Sequence, residues 1–164
     1  MGSDFTLSFL LFALAGMLVL AAIEDARVRE IANWKTGAIA LLAPLWWFAS
    51  GMAPWPDMAI QLGIAFAVFA IFCVVFHFGM MGGGDVKLIV ALSLWLPIGA
   101  FLVMLVVMSV AGGVLTAGML IARKLAMRRA DSGVENAAIE VPYGIAIAFA
   151  GLVAVQEPLL NSLR

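Results

Sequence analysis

The chain has 164 residues and a formal net charge of -1; 65% of its residues are hydrophobic and 12% charged, with a mean hydropathy of +1.14. A water-soluble domain of that composition would lack the polar surface to stay dispersed, so the sequence reads as a membrane protein. Nothing in the charge pattern invites a nucleic acid, and Cys73, the single cysteine, excludes an intrachain disulfide and a Cys-rich metal site.

Six apolar stretches follow in chain order, over residues 5–23, 36–52, 58–80, 86–96, 98–122 and 141–155, each to be set against the roughly 20 residues that cross a bilayer. The first has no positive residue before it and is too long for a typical signal-peptide core, so it reads as a retained helix. An unbroken helix over residues 88–122 would measure about 50 Å against a hydrocarbon core of about 30 Å. It must therefore break, and Leu96-Pro97-Ile98-Gly99 is the place, because Pro removes a backbone donor and Gly relaxes a turn.

The expected fold is all-α: one polytopic membrane domain over residues 1–164 with about six transmembrane helices and both termini outside. Charge placement supports that count. The inside loops would carry Arg27, Arg29, Lys35, Lys87, Arg123, Lys124, Arg128 and Arg129, and the outside segments only Arg164. With 88–122 as a single span, the 123–129 cluster would fall opposite Arg27 and Arg29, against the positive-inside trend.

Trp34 and Trp55 fall near the expected interfaces and read as anchors, while Trp46, Trp47 and Trp95 read as packing. Gly113 with Ala117, and Gly144 with Ala148, are small residues at helical spacing that would let helices approach closely.

Carboxylates at the edge of a bilayer are costly, which makes those beside apolar spans functional candidates. Asp25 closes the first span, and Asp85 follows Gly82-Gly83-Gly84 ahead of the fourth. In the six-span topology both lie at cytoplasmic helix ends. The glycines suit an irregular turn whose backbone can approach a partner; the plainer alternative is a Gly-rich hairpin in which Asp85 is a helix N-cap.

Two carboxylates within hydrogen-bonding distance cannot both ionise cheaply, so they hold one proton between them, which is the equipment for activating a water against a peptide carbonyl. Elimination points the same way if the chain is a protease. His77 is the single histidine, so a two-histidine zinc motif is impossible, and no serine stands in a recognisable nucleophile turn. No metal and no cofactor are expected.

These residues resemble a known family. Gly82-Gly83-Gly84-Asp85 matches the GxGD signature of membrane aspartyl proteases, and with Val86-Lys87 it resembles the GxGDxK form of the bacterial type IV prepilin peptidases. Asp25 followed eight positions later by Asn33 is similar to the family's first catalytic segment, and Val141-Pro142-Tyr143-Gly144 to its PYG opening of the last helix. The order and spacing of the three segments agree over nearly the whole chain.

The resemblance implies an aspartyl endopeptidase that cuts the basic leader from prepilin or pseudopilin precursors at the cytoplasmic face of the bacterial inner membrane. Asp25 and Asp85 would be catalytic, with Gly82, Gly84, Lys87, Asn33, Pro142, Tyr143 and Gly144 as supporting positions. Two departures stand out: Ala32 replaces the proline frequent before the Asp or Asn, and Asn33 takes the amide form. The long N-terminal domain with paired CxxC motifs that accompanies N-methylation in larger relatives is missing. The short form resembles the peptidases of tight-adherence (Flp-type) pilus systems, which implies cleavage without methyl transfer.

The remaining charges have plainer readings. Arg27, Arg29 and the 123–129 cluster read as orientation signals and lipid-headgroup contacts, and Glu24, Glu30, Glu135 and Glu140 as solvated loop charges. Two other functions compete with the peptidase: a small proton- or ion-coupled transporter using the two aspartates as a relay, and a noncatalytic assembly subunit of a secretion machine.

Overall fold

The computed structural model describes residues 2–129 and 142–162, with side chains over 5–125 and 142–156. Glu135, Glu140, Val141 and Arg164 lie outside the described residues, as do the side chains of Arg128 and Arg129. Within them the chain is all-helical: α1 (Gly2–Val28), α2 (Asn33–Ala49), α3 (Ala59–His77), α4 (Gly83–Ser93), α5 (Ile98–Arg129) and α6 (Tyr143–Ser162). The break foreseen at Leu96-Pro97 separates α4 from α5.

Three segments are long and apolar enough to cross a bilayer, Phe5–Val28, Pro54–His77 and Ile98–Leu125, and α6 is apolar over Tyr143–Gln156. At 17 residues α2 rises about 26 Å, and at 11 residues α4 rises only about 17 Å. That is well short of a hydrocarbon core of about 30 Å.

The short α4 is the hub. It packs against α2, α3, α5 and α6, while α1 lies between α2 and α6, and α6 also packs on α5. Val86, Leu88, Ile89, Ala91, Leu92 and Ser93 of α4 are all buried. A helix ending inside apolar surroundings leaves carbonyls without partners, and here other elements supply the donors. The Trp47 indole N–H donates to the Leu94 carbonyl at 2.8 Å, and the buried Gln61 amide donates to the carbonyls of Ser93 (2.6 Å) and Leu96 (2.8 Å). In return, the Trp95 indole donates to the Ile39 carbonyl of α2 at 2.8 Å. Trp47 and Trp95 are thus core residues, and the partly buried Trp46 packs on them with its ring 5.9 Å from that of Trp95.

Large apolar side chains cover the outside: Phe5, Phe9, Phe12 and Leu20 on α1, Phe66 and Ile71 on α3, Val103, Val106 and Val110 on α5. Trp34 and Trp55 are also exposed. The inner face of α1 runs Leu11, Leu14, Leu18, Ala21 and Asp25, alternating three and four positions apart, so that one helical stripe is buried and ends on a carboxylate.

Close helix approach involves different residues from those expected on α5. A Cβ on Gly113 would meet nothing within 4 Å, whereas one on Gly112 would come 2.9 Å from the Tyr143 ring. Gly112 is therefore where α6 leans on α5. The Gly144 and Ala148 face of α6 does pack inward, and Ala148 is fully buried.

Candidate active site

Asp25 is 5% exposed at the inner end of the α1 stripe. The helix ends three residues later, where Arg29 takes a left-handed conformation (φ 56°) and its N–H donates to the Asp25 carbonyl at 3.0 Å. For a residue with a Cβ that backbone costs about 1–2 kcal/mol, and it reverses the chain so that α2 starts at Asn33. Across from Asp25, the Ile145 N–H in the first turn of α6 donates to its Oδ2 at 3.3 Å, with the Gly144 amide beside it. The first amides of a helix have no intrahelical acceptor and suit an anion.

Asp85 is not an N-cap. Gly82 holds that position with an extended backbone (φ -70°, ψ 146°), and Gly83 and Gly84 are already helical. Asp85 stands third in α4, and its carboxylate faces the Gly82 N–H, which is the acidic half of a capping box. A Cβ on Gly82 would lie 3.1 Å from Asp85 Oδ2, so the glycine leaves the room that the folded-back carboxylate uses.

Asp25 and Asp85 line one cavity of about 340 Å³, together with Arg29, Glu30, Ile31 and Asn33 from the turn between α1 and α2 and the three glycines before Asp85. The Asp85 carboxyl is half-buried there. A larger cavity of about 590 Å³ lies at the far end of α4 around Trp95, Gln61 and Met104, and no titratable side chain lines it.

Two supporting positions from different motifs also meet. The Lys87 ammonium donates to the Asn33 side-chain oxygen at 2.7 Å, joining the start of α2 to the first turns of α4. Gly144 abuts Asp25 itself: a Cβ there would stand 2.8 Å from the carboxyl carbon. Tyr143 packs away from the cavity on Gly112, and Pro142 precedes it outside the helix.

A profile of the type IV leader peptidase family matches residues 12–117. The chain belongs to that family. No curated protein and no solved structure matches it. The matched stretch of this leader peptidase family member contains both aspartates, Asn33 and Lys87, and stops before the Pro142-Tyr143-Gly144 segment.

Two residues near the site escaped the sequence reading. Ile31 is buried between two glycines of other motifs, 3.3 Å from where a Gly84 Cβ would be and 2.9 Å from where a Gly144 Cβ would be. Its signal was faint, a lone apolar residue in a polar turn. Glu24 is not a solvated loop charge: its Oε2 accepts the Ala32 N–H at 3.0 Å and the Lys35 ammonium at 2.8 Å. His77, by contrast, is exposed at the end of α3 with its ring edge-on to Phe78.

Proposed function

We propose that this leader peptidase family member is a membrane aspartyl endopeptidase that removes the basic leader from prepilin or pseudopilin precursors at the cytoplasmic face of the inner membrane. Asp25 and Asp85 are its catalytic residues. The observation that carries the reading is that two carboxylates from distant stretches of the chain line one polar cavity at neighbouring helix ends.

In this mechanism the pair carries one proton. Asp25, facing the first amides of α6, is the better seat for the negative charge, which leaves the proton with Asp85. The ionised carboxylate takes a proton from water as the water oxygen bonds to the scissile carbonyl carbon. The protonated partner donates a hydrogen bond to the carbonyl oxygen, where negative charge builds. Collapse of the tetrahedral intermediate breaks the C–N bond, and the proton taken from water passes to the departing amine. No metal or cofactor enters the scheme.

The topology that goes with this reading has six crossings and both termini outside, with α4 crossing as a short buried element and the basic residues near the cavity on the cytoplasmic side. The enzyme's substrates on this reading are the prepilins of tight-adherence (Flp-type) pilus systems.

The deciding experiment incubates purified protein with a prepilin carrying its basic leader. The wild-type chain should shorten the substrate, and Asp25→Asn and Asp85→Asn should each stop the cut. Cleavage retained by both variants refutes the assignment, and proton-dependent flux into liposomes without cleavage would favour an ion relay instead.

A further inference from the structure

The three segments that converge on the cavity are held in register by the turn over residues 29–32. Ile31 in that turn fills the space left by Gly84, next to Asp85, and by Gly144, which abuts Asp25. The next residues of the same turn lead to Asn33, which accepts from Lys87. The position of this turn therefore sets how far the first turn of α4 stands from the end of α1 and the start of α6.

The turn opens on Arg29 in the left-handed region, a conformation that persists in a residue with a Cβ only when surrounding contacts over-determine it. Glu24 supplies such contacts from outside. One oxygen of its carboxylate accepts both the Ala32 N–H at 3.0 Å, at the end of the turn, and the Lys35 ammonium at 2.8 Å, in the first turn of α2. The Lys35 side chain is 12% exposed and that of Glu24 26%, so the pair is partly shielded from solvent. Glu24 directly precedes Asp25, and consecutive helical residues project about 100° apart. One helix end thus turns Asp25 into the cavity and Glu24 onto the turn that walls it.

We propose that Glu24 is a positioning residue for the aspartate pair, acting through the 29–32 turn with Lys35 as its partner. The proposal rests on the reading that Asp25 and Asp85 carry out the cleavage. Removing the carboxylate leaves the Ala32 N–H without its acceptor and the Lys35 ammonium with only the Leu20 carbonyl at 3.5 Å and the Trp34 ring, so the turn relaxes and the carboxyl groups separate. Misplacement of about 1 Å at a reacting centre costs as much as about 100-fold in rate.

The test measures kcat, KM and the pH profile of kcat for prepilin cleavage by full-length Glu24→Ala, Glu24→Gln and Lys35→Met, each purified in detergent and shown to be folded by thermal unfolding. Glu24→Ala is expected to lower kcat at least about tenfold with KM within about twofold, and to draw the two limbs of the pH profile together, because separated carboxyl groups couple less. Glu24→Gln keeps an oxygen for the Ala32 N–H and should recover most of that loss. Lys35→Met should fall between the two. Wild-type kcat and an unshifted pH profile in Glu24→Ala, or in Lys35→Met should Glu24→Ala not fold, would overturn the positioning role. With Asp25→Asn inactive in the same assay, that result leaves the aspartyl reading standing; an active Asp25→Asn removes the reading and this proposal together.

Discussion

A Cβ on Gly144 would stand 2.8 Å from both the carboxyl carbon and Oδ2 of Asp25. No real side-chain carbon sits that close, so Gly144→Ala must displace a short, buried carboxylate. On the proposed mechanism the geometry of the aspartate pair gives way before the fold does. Cleavage is expected to fall about 100-fold, with a stability loss of about 1–3 kcal/mol. Gly113→Ala, in open space on α5, should leave both unchanged. Peptidase assays and thermal unfolding of the two variants side by side would check this.

The Lys87 to Asn33 contact is exposed, and an exposed charged contact contributes at most about 1 kcal/mol. Lys87→Met and Asn33→Ala should therefore leave thermal stability nearly intact while each slows cleavage several-fold. If the contact works as one clip between α2 and α4, the double variant should be little slower than either single, a coupling that a double-mutant cycle on kcat measures.

Gln61 is the opposite case, away from the aspartate cavity and bonded within the core. Gln61→Leu strips the donor from the buried carbonyls of Ser93 and Leu96, at a cost of about 1–3 kcal/mol for each group left unsatisfied. A marked drop in unfolding temperature is expected, with kcat per folded molecule close to wild type. Trp47→Phe, which releases only the Leu94 carbonyl, should show about half that drop.

The parts of this architecture legible in sequence are those where a polar or conformationally special residue interrupts apolar text. Pro97 marked the break before α5, and Asp25, Asp85, Asn33 and Lys87 marked the elements that meet. Which face of each helix turns inward was not legible. In a bilayer the outside is as apolar as the core, so Leu14 and Leu18, buried, and Phe12 and Leu20, exposed, read alike. The same ambiguity put Gly113 in the place of Gly112. Glu24 was misjudged for another reason: its acceptor role depends on Arg29 turning left-handed, a backbone choice that nothing in the residue type announces.

Reaching from Gln61 to His77, α3 rises about 26 Å, while its antiparallel neighbour α4 rises only about 17 Å over Gly83–Ser93. Gln61 ties the two together at the far end, so the start of α4 lies some two helical turns beneath the top of α3. Asp85, in the first turn of α4, is therefore set back from the end of α3, with Asp25 lining the same cavity. On the proposed reading a substrate has to reach down to that level, which an extended strand does more readily than a helix about 10 Å across.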